Sequence, residues 1–241
     1  MTTRPQPFPS VRADATDDEG RYAVMSLTTI TDRRQLATLA TLGIGLFVAL
    51  VVLLPFLKGD GYDPVDQAMS ELALGRYGGL MTLAFFSLGT GVLALGVAVR
   101  RFFGATRAVP GLLIVAGVLG VLSGVFKTNG ASAATIESQI HEIVGITLFV
   151  LVVVAMFLSV RVFRREPAWT RFARYSLGWA VAATCTFFLV PALEEAAFGM
   201  AQRLFAATWL SWMLVLAWRL RRAETTNEPV APTAAVLNYG S

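Results

Sequence analysis

Residues 35–57 read QLATLATLGIGLFVALVVLLPFL, an unbroken run with no charged side chain. At about 1.5 Å per residue a helix of that length reaches about 34 Å, enough to cross a hydrocarbon core of roughly 30 Å. Arg33 and Arg34 stand immediately before it and Lys58 and Asp60 immediately after it, where polar headgroups and water would receive them. The run therefore reads as a transmembrane helix, and that reading decides the rest. Five further windows have the same character, at about 78–99, 108–126, 139–160, 175–193 and 201–220. The fifth contains Pro191, which lacks a backbone donor and is expected to end or kink its helix. Composition agrees, because 55% of the 241 residues are hydrophobic and only 15% charged, against about 25% charged in soluble domains. The fold class that follows is all-α: a polytopic membrane bundle of six transmembrane helices plus a short outer amphipathic helix. The expected organisation is a disordered cytoplasmic tail over 1–28, a six-helix transmembrane domain over 29–222 and a second disordered cytoplasmic tail over 223–241.

Basic residues set the orientation. Arg33, Arg34, Arg100, Arg101, Arg107, Arg161, Arg164, Arg165, Arg171, Arg174, Arg219, Arg221 and Arg222 all fall at one side of the six spans. The alternate loops hold only Lys58, Arg76, Lys127 and Arg203, together with most of the acids between the spans. Loops rich in Lys and Arg stay in the cytoplasm, so both termini are expected there. Anionic lipid headgroups are a sufficient partner for these arginines, and the net charge of +4 requires no nucleic acid. Cys185 is the only cysteine, so no disulfide forms within the chain. Asp14, Asp17, Asp18 and Glu19 interrupt the first thirty residues, and no secretory signal peptide is expected. Small residues at spacing four in the third span (Ala116, Gly120, Gly124, with Gly117 beside them) and in the second (Ser87, Gly91) are expected to pack helix on helix within the bundle.

Polar chemistry collects in the loops on the other side. The first, YDPVDQAMSEL at 62–72, begins with Asp63 before Pro64, a good N-cap followed by proline at the first helical position. Val65, Ala68, Met69 and Leu72 follow at helical spacing, and Gly75 offers a stop. A helix of about ten residues is expected, with Asp66 and Ser70 on one face and Gln67 and Glu71 on the next. The second, FKTNGASAATIESQIHEIVG at 126–145, turns at Thr128–Gly130 and places Glu137 one helical turn before His141. His141-Glu142 opens like the HExxH zinc signature, but Gly145 stands where the second histidine must be and the chain has no other histidine. No metal and no cofactor are expected. The third, around 190–212, holds Glu194, Glu195, Gln202 and Arg203. A cation so close to hydrocarbon wants a partner, and Glu194, Glu195, Asp66 or Glu71 is expected to supply it. Phosphate loops, GxSxG elbows, CxxC pairs and Ser-x-x-Lys dyads are absent, and no charge falls at mid-depth in a span.

The order of these landmarks resembles a known family. A first span, Tyr62-Asp63-Pro64 with Ser70-Glu71-Leu72, a Phe-x-Thr turn segment leading to the single His141, and Gln202-Arg203 opening the last span together resemble the bacterial membrane family catalogued as domain of unknown function 998. The resemblance covers about residues 35–222. It implies a multi-helix integral membrane protein and no established reaction. One departure stands out: Phe126-Lys127-Thr128-Asn129 occupies a segment where an acid is expected, so a role for that acid does not carry over to Asn129.

Three functional readings remain open at this point. In the first, the protein is a structural, accessory or small-molecule-binding membrane bundle whose outer polar cluster comprises Asp63, Asp66, Ser70, Glu71, Glu137, His141, Glu194, Glu195, Gln202 and Arg203. In the second it is an intramembrane or interfacial lipid-directed hydrolase, with Ser70 as nucleophile, His141 as base and Asp66 or Glu137 orienting it. In the third it carries a small solute. The bilayer is a partner in all three, and a lipid-like or small-molecule ligand is the occupant a cavity in the outer cluster would take.

Overall fold

The computed structural model describes residues 15–104, 107–130 and 135–223, with side chains from Arg33 onward. The chain divides into two compact units at Asp32. In the first unit the backbone is helical from Ala15, inside the stretch 1–28 expected as a tail. Positions 1–14 and 224–241, including nearly all of the second expected tail, lie outside the described residues. The second unit, from Arg33, holds the bundle.

Six helices form as the hydrophobic runs require: α1 (Ala15–Lys58), α2 (Gly78–Phe103), α3 (Ala108–Val125), α4 (Ile136–Phe163), α5 (Thr170–Ala192) and α6 (Glu194–Ala223). All six are long and apolar enough to cross a membrane, and no strand occurs among the described residues. Pro191 acts as expected, since α5 ends one residue beyond it and Leu193 donates the closing bond to the Leu189 carbonyl. Each helix from α2 to α6 packs on the next, and α6 returns to α2.

Lipid tails are as apolar as the helices, so burial of apolar surface cannot drive the helices together. Close backbone approach has to do it. A Cβ on Gly43 of α1 would lie 2.5 Å from the Ser87 carbonyl oxygen and 2.9 Å from the Gly91 Cα of α2. Between α2 and α3, a Cβ on Gly89 would lie 2.5 Å from the Val121 nitrogen, and one on Gly117 would lie 2.6 Å from the Leu93 nitrogen. The expected second-span stripe (Ser87, Gly91) thus packs on Gly43 of α1, while the third-span stripe meets α2 at Gly89, a glycine outside that stripe. At the arginine-rich end, Phe102, Phe103, Phe163, Trp169 and Phe172 form one aromatic cluster, and the Arg219 guanidinium lies 4.8 Å from the Trp169 ring centre. Trp209 and Trp212 are buried in the packing of α6, and the Trp212 indole donates to Ser176 of α5 at 3.0 Å.

These contacts leave no room for a side chain. Replacing Gly89 or Gly117 with valine should destabilise the detergent-solubilised protein by about 1–3 kcal/mol, the range for overpacked sites, read as a lowered Tm. Gly45→Ala, where nothing lies within 4 Å, should leave the Tm unchanged or raise it.

Candidate functional site

The loop between α1 and α2 is folded tightly on itself. Asp63 caps as its sequence predicts, its carboxylate accepting from the Val65 N–H at 2.7 Å, and the Gln67 N–H closes one helical turn onto the Asp63 carbonyl. The expected ten-residue helix then fails. Ala68 is extended (φ −59, ψ 148), and the chain resumes as a 3₁₀ helix over Met69–Ala73. The break has a local cause: Glu71 reaches back, accepting from the Ala68 N–H at 3.0 Å and from the Gln67 side-chain amide at 3.1 Å. Lys58, at the end of α1, donates to the carbonyls of Glu71 and Leu74. Gly75 takes φ +65, the left-handed conformation that only glycine adopts cheaply, and turns the chain into α2.

α6 docks on this loop. Ala197 departs from helical geometry, so the donors of the turn that follows need acceptors outside the helix. The Met200 N–H finds the Val65 carbonyl at 2.9 Å. Gln202 accepts from the Met69 N–H at 2.8 Å. Arg203 donates through Nη1 to the carbonyls of Pro64 (2.8 Å), Gln67 (3.2 Å) and Gly199 (3.0 Å), and through Nη2 to the Tyr62 hydroxyl. The Tyr62 hydroxyl donates in turn to the carbonyls of Gln67 and Ala68, and its ring lies beneath the guanidinium. Gly199 is the contact point, because a Cβ there would lie 2.2 Å from the Gln67 carbonyl oxygen. The expectation that Arg203 pairs with a carboxylate is therefore corrected. Its partners among the described residues are carbonyl oxygens and a phenol, because the broken loop aims its backbone acceptors at α6 while Asp66, Glu194 and Glu195 are exposed.

The second loop forms a separate centre. His141 Nδ1–H donates to the Phe126 carbonyl at 2.8 Å, and Glu137 accepts from the Lys127 N–H at 2.9 Å. Those two groups belong to one peptide unit, gripped at both poles by side chains one turn apart. Thr135 and Ser138 cap α4 reciprocally, and Asn129 donates to Thr135 at 2.9 Å. His141 is buried, with its ring edge-on to Phe85. The centres meet where a Cβ on Gly130 would lie 3.0 Å from a Glu71 carboxylate oxygen.

The ten expected cluster residues thus divide. Asp63, Glu71, Gln202 and Arg203 hold the first loop, and Glu137 and His141 hold the second. Asp66, Ser70, Glu194 and Glu195 join neither, and no side-chain hydrogen bond links Ser70 or Asp66 to His141 or to any other described residue. No three His, Cys, Asp or Glu side chains gather among the described residues. Sequence reading missed Lys58 as a carbonyl ligand and Gly199 as a contact; an isolated glycine three residues before Gln202-Arg203 was the available signal for the latter. Beside the first centre runs an apolar groove of about 400 Å³, walled by α1 (Phe47, Val51, Pro55) and α6 (Ala206, Leu210, Leu214), with Arg203 and Pro64 at one end.

The polar landmarks so arranged lie within residues 41–219, which match the family model described as protein of unknown function, DUF998. The chain belongs to this family. No curated protein and no solved structure matches it. The match takes in α2 to α5 entire and includes Tyr62, both loop centres and Arg203, so the docking of α6 on the first loop lies wholly inside the DUF998 region.

Arg203→Gln and Arg203→Lys should both lower the Tm, because neither side chain presents the planar fork that reaches three carbonyls and a phenol. Tyr62→Phe should cost about 1–3 kcal/mol, the range for leaving buried partners unsatisfied. Burial holds the Tyr62 hydroxyl above the usual tyrosine range, while its hydrogen bond from Arg203 pulls the other way. A proton held more tightly in the folded state stabilises fully below the unfolded value, about 10, and that stability is lost as pH rises through the folded value. Wild-type Tm should therefore fall more steeply above about pH 10 than that of Tyr62→Phe.

Proposed function

We propose that this DUF998 protein is a non-catalytic, multi-pass protein of a bacterial plasma membrane, of structural, accessory or small-molecule-binding type. In this reading both termini are cytoplasmic, the two loop centres face the outside, and the polar cluster is a clamp. The observation that carries it is where the polar side chains are spent. Arg203, Gln202, Glu71, Glu137 and His141 all bind backbone groups of the loops. Side chains that satisfy loop backbone near a membrane do structural work there. The hydrolase reading needs a nucleophile within reach of a base, and Ser70 has no bond to His141, whose Nδ1–H is committed to Phe126. A solute carrier has no support of its own in the spans.

Two measurements test the proposal. Ser70→Ala should fold with an unchanged Tm, and the purified protein incubated with phospholipid should release no product detectable by mass spectrometry. Product formation abolished by both Ser70→Ala and His141→Gln would remove the non-catalytic reading. For orientation, a cysteine placed at Asp60 in a Cys185→Ala background should react with a membrane-impermeant maleimide in intact cells. One placed at Arg165 should react only after the cells are opened, and the reverse pattern would invert the topology.

A further inference from the structure

We infer that the groove between α1 and α6 holds one acyl chain of an anionic phospholipid, with the lipid phosphate on Arg203. The inference rests on the small-molecule-binding part of the proposal above and names the ligand's chemistry. Its first ground is shape. The α6 wall runs from Arg203 through Ala206, Ala207, Leu210 and Ser211 to Leu214, positions three and four apart on one stripe, about 16 Å from end to end at helical rise. Val52 and Phe56 on the α1 wall are 57% and 81% exposed, so the groove opens sideways, where lipid lies. Its volume of about 400 Å³ falls within the roughly 300–1,000 Å³ of small-molecule sites.

The second ground is charge. Among the described residues, Arg203 is the only charged one lining the groove. An arginine carries five N–H donors. Nη1 uses both of its own on the Pro64, Gln67 and Gly199 carbonyls, and Nη2 uses one on Tyr62. The Nε–H and one Nη2–H have no acceptor among the described residues. The nearby acids turn to other donors, Asp63 to Val65 and Glu71 to Gln67 and Ala68, and no carboxylate among the described residues forms an ion pair with the guanidinium. A cation at the end of an apolar groove favours an anion there, and two free N–H groups suit the oxygens of a phosphate. A chain running from that end towards Leu214 stays in the apolar part of the groove throughout.

The experiment uses the full-length protein, washed in detergent to remove bound lipid. Phosphatidylglycerol, phosphatidylcholine with the same acyl chains, and oleate are added separately, and occupancy is read by native mass spectrometry. The expected result is a one-lipid adduct with phosphatidylglycerol at tenfold or more the occupancy of phosphatidylcholine. Ala207→Phe and Ser211→Phe, which fill the groove without touching the loop contacts, should each reduce that adduct tenfold or more. Arg203→Gln, where it folds, should make the two phospholipids bind alike. Equal occupancy by the two phospholipids in wild type, an adduct unchanged in both groove variants, or binding of oleate without phosphatidylglycerol would each overturn the inference. Retention of phosphatidylglycerol as an adduct supports it even if the lipid is later converted, an outcome that would remove only the non-catalytic reading.

Discussion

Water is scarce where the loops of a membrane bundle meet its helix ends, and every peptide group there has to find a partner in the protein. Arg203 answers that demand for the first loop. One planar guanidinium collects the carbonyls of Pro64, Gln67 and Gly199 and the hydroxyl of Tyr62. The two loop carbonyls, Pro64 and Gln67, are open to it because the loop is broken at Ala68 instead of running on as a helix, which would have turned them into its own ladder. The break at Ala197 plays the same part on the other side, freeing the Met200 N–H for Val65. Two interruptions of regular structure, one on each partner, make the contact.

The bundle below is held by another kind of economy. Gly43 against Gly91 and Gly89 against Gly117 let backbones touch with no side chain between them. In a medium where burying a leucine gains little, such contacts substitute dispersion and weak backbone attraction for the hydrophobic effect. The aromatic cluster around Trp169, with Arg219 over it, closes the opposite end. Each end of the bundle therefore carries an arginine seated on an aromatic ring, Arg203 on Tyr62 and Arg219 on Trp169.

The spans were legible in the sequence because their signal is long and one-dimensional: an uncharged run such as 35–57 admits one reading. The Asp63 cap, the Gly75 stop and the end of α5 at Pro191 were legible for a related reason, since each depends on a residue and its immediate neighbours. Arg203 was recognised as needing a partner, but the partner was assigned by charge, and the structure chose carbonyls. Nothing in the spacing of YDPVDQAMSEL announces that Glu71 will curl back on Ala68. The Glu71 side chain taking the Ala68 N–H breaks the helix, with Lys58 holding the Glu71 carbonyl from the end of α1. Pairing Asp66 with Ser70 failed for the same reason, since helical spacing implies a shared face only while the helix is unbroken.

The peptide unit between Phe126 and Lys127 has its oxygen held by His141 and its hydrogen by Glu137. Turning that plane, or sliding α4 along α3, would release both bonds together, so one peptide unit pins the end of α3 to the start of α4. Further along α3, Gly120 lies against Gly89 of α2 and Leu148 of α4, so the helix pinned at its end is also the one approached from both sides.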